Sequence, residues 1–136
     1  MSSLTQDTGA FIASLRYEDI PEAGLASVRN GFTDYTAVTI LGRNDDVTRI
    51  VRETFAPRPG PSRLCFGADS VEPAGAALIN GASAHAQDYD DVGLVGIQAT
   101  HPSASIAPAV FAEAEALGRN GKDIDRKSTR LNSSHT

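Results

Sequence analysis

The sequence is poor in the residues that mark several large classes of protein. Its 136 residues include one cysteine and no tryptophan, which excludes a disulfide framework and a cysteine-rich zinc site. Basic residues are scattered and the formal net charge is −5, which argues against a nucleic-acid partner. No apolar run is long enough to cross a bilayer, and the polar, slightly acidic start differs from a signal peptide. We therefore expect a cytoplasmic protein with no membrane partner.

Lysine is also scarce, since Lys122 and Lys127 are the only two in the chain. The segment 125–136 contains a single strongly apolar residue and no periodicity, which is typical of a disordered tail. From Asp125 to His135 it looks like the translation of a widely used sequencing-library adapter, without a gap. We therefore predict that residues 1–124 are part of one helical domain and that residues 125–136 are an artefactual, disordered tail.

What the sequence does contain is a helical pattern of apolar residues. The 3.6-residue spacing predicts five helices, over residues 3–16, 20–41, 45–55, 73–87 and 102–117. Ser3 with Gln6 fits a capping box, Asp19 is expected to cap the second helix with Pro21 at its first position, and Gly42 is expected to end it. Residues 63–67 suggest a short extended segment, and residues 88–101 a loop. The predicted fold class is all-α and bundle-like.

The fourth predicted helix is unusually rich in small residues. Gly75 and Gly81 lie in its interior, where each glycine costs about 1 kcal/mol relative to alanine. Such a helix is favourable only where a neighbouring helix or a ligand approaches its backbone closely. We expect it to be central and buried, with Leu78 and Ile79 providing bulk.

The side chains capable of chemistry concentrate in one window, residues 80–105. Three carboxylates within it, Asp88, Asp90 and Asp91, repel one another when ionised, so at least one needs a partner or a raised pKa. His101 directly precedes the last predicted helix, whose free N–H groups around residues 103–105 are expected to cradle a carboxylate. This arrangement suits general acid–base catalysis of a reaction on a carboxylic acid.

Three interpretations of this window stay open from the residues alone. In the first, the aspartates are loop and cap residues and His101 is a hydrogen-bonded polar residue without a chemical role. In the second, His85 and Asp88, three apart on a helix, bind a metal together with Asp90, Asp91 and His101. The third is a metal-free acid–base site. Outside the window, we expect Cys65 to be a buried, inert thiol and Asp34 to lie on a solvated helix face.

Several short motifs, two of them wholly inside this window and the others wholly or partly outside it, resemble those of the MmgE/PrpD family, which includes 2-methylcitrate dehydratase and cis-aconitate decarboxylase. The matching pieces follow the family's order over residues 4–124. They are Leu-Arg-Tyr-Glu-Asp-Ile-Pro at 15–21, Ala-Ala-Leu-Ile-Asn-Gly at 76–81, His-Ala-Gln-Asp-Tyr-Asp-Asp at 85–91, His-Pro-Ser at 101–103 and Ala-Glu-Ala-Leu-Gly at 114–118.

The resemblance implies a large helical domain with a smaller lid domain, in a homodimer. It also implies a lyase or isomerase acting on small di- or tricarboxylates, with no metal or other cofactor required. The expected reaction is a dehydration such as that of 2-methylcitrate to 2-methylaconitate, the alternatives being decarboxylation or epimerisation. A non-catalytic binding or assembly module of the same fold is the alternative from another functional class.

The family's catalytic positions correspond to Asp88, the first aspartate of the acidic motif, and His101. We expect the substrate to be bound by four further residues of the window, namely Asn80, His85, Asp91 and Ser103. The chain departs from many members at Val92, where they carry a threonine. Full-length members also have a lid domain and a lysine from a later helix, so we expect this chain to be an N-terminal fragment that is inactive and unstable alone.

Overall fold

A computed structural model describes residues 3–95 and 98–125 of the chain. Within these residues the fold is helical, as predicted, and the five expected helices are present to within two residues at each end. Two short antiparallel hairpins and one 3-10 turn, Tyr17–Asp19, accompany them. The helices are α1 (Leu4–Ser14), α2 (Glu22–Gly42), α3 (Asp46–Phe55), α4 (Pro73–His85) and α5 (Pro102–Ala116). The strands are β1 (Pro59–Arg63), β2 (Ser70–Val71), β3 (Gly93–Val95) and β4 (Gln98–Thr100).

The helix starts follow their capping signals, with one correction. The capping box of α1 is confirmed, because Ser3 N donates to Gln6 Oε1 at 3.0 Å and Gln6 N donates to Ser3 Oγ at 3.3 Å. The prediction that Asp19 caps α2 and that Pro21 is its first residue is wrong. Asp19 instead accepts from Arg16 N at 3.0 Å, within its own 3-10 turn, and Pro21 takes the cap position of α2.

Helix α4 is central and packs against α2, α3, α5 and β1, as its small residues predict. A Cβ added to Gly42 would lie 2.0 Å from the carbonyl oxygen of Ser83, and one added to Gly81 would lie 3.2 Å from that of Ala104. Gly42 is the last residue of α2, and its function is this close contact. The expectation for Leu78 is wrong, since it is 46 % exposed, whereas Ile79 is buried.

The core of the described residues contains two clusters, and α4 and α5 contribute to both. The first lies between α2, α4 and α5, and the second lies between α4, α5 and the β1–β2 hairpin. The first cluster contains Tyr35, Val38, Ala84, Ala104 and Ala107, and the second contains Leu64, Val71, Ala76, Ile79 and Ala112. Since α4 and α5 contribute to both clusters, these two helices are held firmly together, and their ends are well placed to build a site.

Buried hydroxyl groups tie the helices together. Ser83 Oγ donates to Thr39 O at 2.8 Å, linking α4 to α2, and Ser62 Oγ donates to Ala112 O at 2.6 Å, linking β1 to α5. Tyr35 Oη and Thr39 Oγ1 are the exceptions, because neither has a hydrogen-bond partner of good geometry among the described residues. Burial raises the pKa of Tyr35 well above its usual value, although Thr39 and Asn80 lie close enough to oppose the rise.

The hairpins modify the predicted loops. The expected extended segment 63–67 lies earlier in the chain, because β1 ends at Arg63. The chain then turns, with φ of 49° at Cys65 and 56° at Phe66. The proline-rich stretch before it, which cannot be helical, forms β1. The expected loop 88–101 contains the β3–β4 hairpin, in which Gly93 pairs with Thr100.

The two ends of the described chain contribute little to the core. Helix α1 has no buried residue, and Leu4 is 83 % exposed. Of the predicted tail, only Asp125 is described, at the end of a helical turn over residues 121–125 where partial burial raises its pKa. Residues 126–136 lie outside the described residues. No helix in the described ranges is both long and apolar enough to cross a membrane.

Candidate active site

Two histidines meet where α4 ends and α5 begins. His85 is the last residue of α4, and His101 is the N-cap of α5. The close packing of these helices brings the two imidazole rings to a centroid distance of 4.6 Å, with 66° between their planes. The histidines are 16 positions apart in sequence, so their meeting depends on the tertiary packing of α4 against α5.

A buried carboxylate lies between the two rings. Asp90 is 3 % exposed, and its two oxygens are divided between the histidines. Oδ1 lies 2.9 Å from His85 Nδ1, and Oδ2 lies 3.1 Å from His101 Nδ1. When each ring donates its Nδ1 proton to Asp90, its Nε2 is left as the proton acceptor. Among the described residues, no hydrogen bond engages Nε2 of either ring.

Asp90 belonged to the chemical window and to the metal interpretation, but was not among the predicted catalytic or substrate-binding residues. The acidic run indicates that an aspartate could lie at the site. Which of the three neighbouring aspartates turns towards the histidines depends on the turn that follows α4. In that turn Asp88 adopts a left-handed conformation with φ of 54°, which aspartate tolerates better than most residues. Asp88 is consequently exposed, with Oδ1 4.0 Å from His85 Nδ1, and Asp90 points inward.

Asp91 and Ser103 contact each other in a second group of side chains, which does not include the histidines. Asp91 Oδ1 accepts from Ser103 N at 3.0 Å and also from Ser103 Oγ. The start of α5, which was expected to cradle a carboxylate from outside, is therefore occupied at Ser103 by a carboxylate of the chain itself. This is favourable because a carboxylate binds well to the free N–H groups and positive dipole end of a helix N-terminus.

Asp34 reinforces this contact, so the expectation that it lies on a solvated face is wrong. Its Oδ2 accepts from Asp91 N at 3.1 Å and lies 3.4 Å from Ser103 Oγ. Asp34 is half-buried on α2, and it links that helix to the loop carrying Asp90. Its position on the helix gives no sequence signal for this contact, since the partners are 57 and 69 positions away.

Asn80 lies apart from the histidines, against the turn after β1. Its Oδ1 accepts from Cys65 N at 2.8 Å, and its Nδ2 donates to Arg63 O at 2.9 Å. Both polar atoms therefore hold the backbone of the turn, and a contact between Asn80 and a substrate stays a prediction. Cys65 is buried, as expected, and burial raises the pKa of its thiol.

Two clefts flank the start of α5. The first, which we call the histidine cleft, has a volume of about 460 Å³ and is lined by both histidines, Thr100 and Ser105, and by small residues of α4 and α5. The second, the aspartate cleft, has a volume of about 380 Å³ and is lined by Asp34, Asp91 and Ser103 among others. Five of the six predicted site residues are thus divided between these two clefts and the turn held by Asn80, whereas Asp88 lines neither cleft.

The group around Asp90 also has the composition of a metal site. His85, Asp88, Asp90 and His101 each offer a ligand atom, and these atoms lie within 4.8 Å of one another. Two imidazoles and two carboxylates suit a transition metal such as Zn²⁺. Asp91, which the metal interpretation included, is not part of this group. In the structure both rings form hydrogen bonds to Asp90 through Nδ1, an arrangement that equally serves proton transfer.

Comparison with known proteins gives one family and one curated relative. The family model of the MmgE/PrpD N-terminal domain matches residues 6–126. Human cis-aconitate decarboxylase is 26 % identical over 125 residues, which cover 90 % of this chain and 25 % of the relative. The chain therefore spans about a quarter of the length of this relative.

Proposed function

Since the chain belongs to the MmgE/PrpD family, through the N-terminal domain of that family, we propose that it supplies acid–base groups to an enzyme acting on a small di- or tricarboxylate. The observation that carries the proposal is the buried carboxylate of Asp90, shared by the Nδ1 atoms of His85 and His101. A carboxylate in this position fixes the tautomer and the orientation of an imidazole and stabilises its protonated form.

The paired imidazoles fit the demands of a dehydration. One base removes a proton from the carbon next to a carboxylate, and one acid protonates the departing hydroxyl. His101 serves as one of these groups at the wall of the histidine cleft, and His85 serves as the second. Asp88, exposed within 4.0 Å of His85, either orients the substrate or exchanges a proton with that ring. Asp91 and Ser103 hold the start of α5 in place beside them.

The charge of the site indicates what the rest of the enzyme contributes. No lysine or arginine is among the described residues that line the histidine cleft, yet a polycarboxylate needs cationic partners to leave water. We propose that these cations come from other parts of the protein, and that this chain is inactive alone. A cytoplasmic homodimer is the proposed setting, in line with the family resemblance.

The reaction subtype is part of the proposal. Dehydration of 2-methylcitrate is our first candidate, and decarboxylation is supported by the name of the human relative. Val92 follows the acidic motif and is 58 % exposed, and it provides no hydroxyl for a substrate. A substrate that needs a hydrogen bond at this position is therefore disfavoured.

The test uses the longest reading frame that contains this chain, assayed on a panel of di- and tricarboxylates that includes 2-methylcitrate and cis-aconitate. Asp90→Asn and His101→Asn are each expected to lower kcat by about 10²–10⁴-fold, the usual contribution of a positioned acid or base. Asp7→Asn, on the exposed helix α1, is the matched control and should leave kcat unchanged.

Two results would contradict the proposal. If both site variants keep the activity of the Asp7→Asn control, the acid–base assignment is wrong. If no carboxylate on the panel reacts, the binding or assembly module becomes the better interpretation. Elemental analysis of the same preparations tests the metal alternative, which predicts a stoichiometric transition metal that is lost in His85→Asn.

A further inference from the structure

A third cleft lies between the α2–α3 junction, the turn after β1 and α4. Its volume is about 470 Å³, and it shares no lining residue with the histidine cleft or the aspartate cleft. We call it the arginine cleft, because Arg43, Arg49 and Arg52 all line it. Three arginines in one cleft are notable in a chain whose net charge is −5.

The three guanidinium groups differ in how far their charge is already compensated. Arg49 is fully engaged by its own helix, with Asp46 at 3.1 Å and Glu53 at 3.0 Å, and these carboxylates raise its pKa. Arg52 is paired with Asp69 at 2.7 Å. Arg43 forms no ion pair or side-chain hydrogen bond with any described residue. Arg43 is therefore the one guanidinium group of the three whose charge is compensated by no described residue.

The floor of the cleft has a different character. Leu64, Cys65 and Ile79 line it and are all buried. Arg43 and Arg52 line the same cleft as these residues, and their charges lower the pKa of the Cys65 thiol, against the larger rise caused by burial. An exposed cationic rim above an apolar floor is an amphipathic surface, and it matches a ligand with one anionic and one apolar end.

We propose that the arginine cleft binds a small organic anion, with a carboxylate or phosphate head group held by Arg43 and Arg52 and an apolar body against Leu64, Cys65 and Ile79. Guanidinium groups bind both head groups through paired, charge-assisted hydrogen bonds. The volume falls within the range of about 300–1,000 Å³ that is usual for small-molecule sites. This site is separate from the histidine cleft and does not depend on the function proposed for it.

The test is a titration of the ¹⁵N-labelled protein encoded by the longest reading frame that contains this chain, followed by amide chemical shifts. Four probes separate the two halves of the ligand: hexanoate, monohexyl phosphate, inorganic phosphate and hexanol. We expect hexanoate or monohexyl phosphate to shift the amides of residues 43–52 and 64–69 in a saturable way. Inorganic phosphate, which lacks the apolar half and its burial, and hexanol, which lacks the charged half and its charge-assisted hydrogen bonds, should each bind at least about tenfold more weakly.

Variants then test the arginines. Arg43→Gln is expected to weaken binding of the better probe about tenfold or more, and Arg43→Lys is expected to restore part of the loss by restoring the charge. Arg29→Gln is the matched control, because Arg29 is an exposed arginine of α2, paired with Glu22 at 3.8 Å, outside the lining of the cleft. Its binding should stay within about twofold of the parent chain, as expected for an exposed, screened charge.

Several outcomes would overturn the proposal. Equal losses in Arg43→Gln and Arg29→Gln would show a nonspecific charge effect. Equal binding of hexanol and hexanoate would show that the arginines do not contribute to binding. Equal binding of inorganic phosphate and monohexyl phosphate would show that the apolar floor does not contribute. An absence of saturable shifts with all four probes would reject the site. The measurement involves no turnover, so its failure and that of the acid–base proposal are distinguishable.

Discussion

Replacing Gly42 with alanine should destabilise the chain, because the contact between α2 and α4 leaves no room for a methyl group. The added Cβ would lie 2.0 Å from Ser83 O and 3.0 Å from Ala86 Cβ. A backbone carbonyl cannot rotate away as a side chain can, so the two helices must separate. That separation weakens the buried hydrogen bond from Ser83 Oγ to Thr39 O, now 2.8 Å long.

The size of the effect follows from three contributions. Overpacking a core costs about 1–3 kcal/mol, and leaving a buried hydrogen bond unmade costs about 1–3 kcal/mol more. Alanine gains back about 1 kcal/mol over glycine within a helix. We therefore expect Gly42→Ala to lose about 1–5 kcal/mol of unfolding free energy.

Urea unfolding followed by circular dichroism at 222 nm measures this difference without a tryptophan. Gly9→Ala is the matched control, since a Cβ at Gly9 meets nothing within 4 Å and α1 has no buried residue. The control should be neutral or slightly stabilising. If Gly42→Ala were as stable as Gly9→Ala, the close approach of α2 and α4 would be refuted.

Three further predictions concern buried and paired groups. Tyr35→Phe should leave stability unchanged or raise it by about 1 kcal/mol, because a buried hydroxyl without a partner is costly. Burial raises the pKa of Tyr35, so the folded chain disfavours the ionised side chain, and stability should fall as the pH rises above the unfolded value near 10. Urea unfolding at rising alkaline pH should show a smaller loss of stability in Tyr35→Phe. Cys65, whose thiol pKa is raised by burial, should react slowly with iodoacetamide at pH 8 until urea unfolds the chain. The hydrogen bonds from Arg58 lower the pKa of Glu72. Their contribution to the free energy of unfolding is therefore present above the unfolded pKa of 4.5 and is lost as the pH falls below it. Acid titration of stability should show a smaller loss in Glu72→Gln.

The helices could be predicted from the sequence because their signals are local. The capping box at Ser3, the prolines that begin α4 and α5, and the 3.6-residue apolar spacing are all contained within one or two turns. The small residues of α4 even indicated that it is central. The reason for Gly42 was not accessible, because Ser83 is 41 positions away in sequence and the contact forms only when α2 and α4 pack.

The candidate site was predictable as a region but not as an arrangement. The window 80–105 contains both histidines and all three aspartates of the acidic motif. The conformation of Asp88 decides which of these carboxylates turns inward, and Asp90 was therefore not singled out. Likewise, the free start of α5 was predictable, but its occupation by Asp91 depends on a hydrogen bond from the Asp91 amide to Asp34 on a distant helix.

The division of one carboxylate between two rings has a consequence for how substitutions combine. If either His85 or His101 is replaced, Asp90 keeps one partner and its buried charge stays partly compensated. If both are replaced, the carboxylate is buried with neither, and removing the partners of a buried charge costs about 3–5 kcal/mol. The two positions should therefore show strong epistasis, with each single variant folding and the double variant losing more stability than the two losses added together.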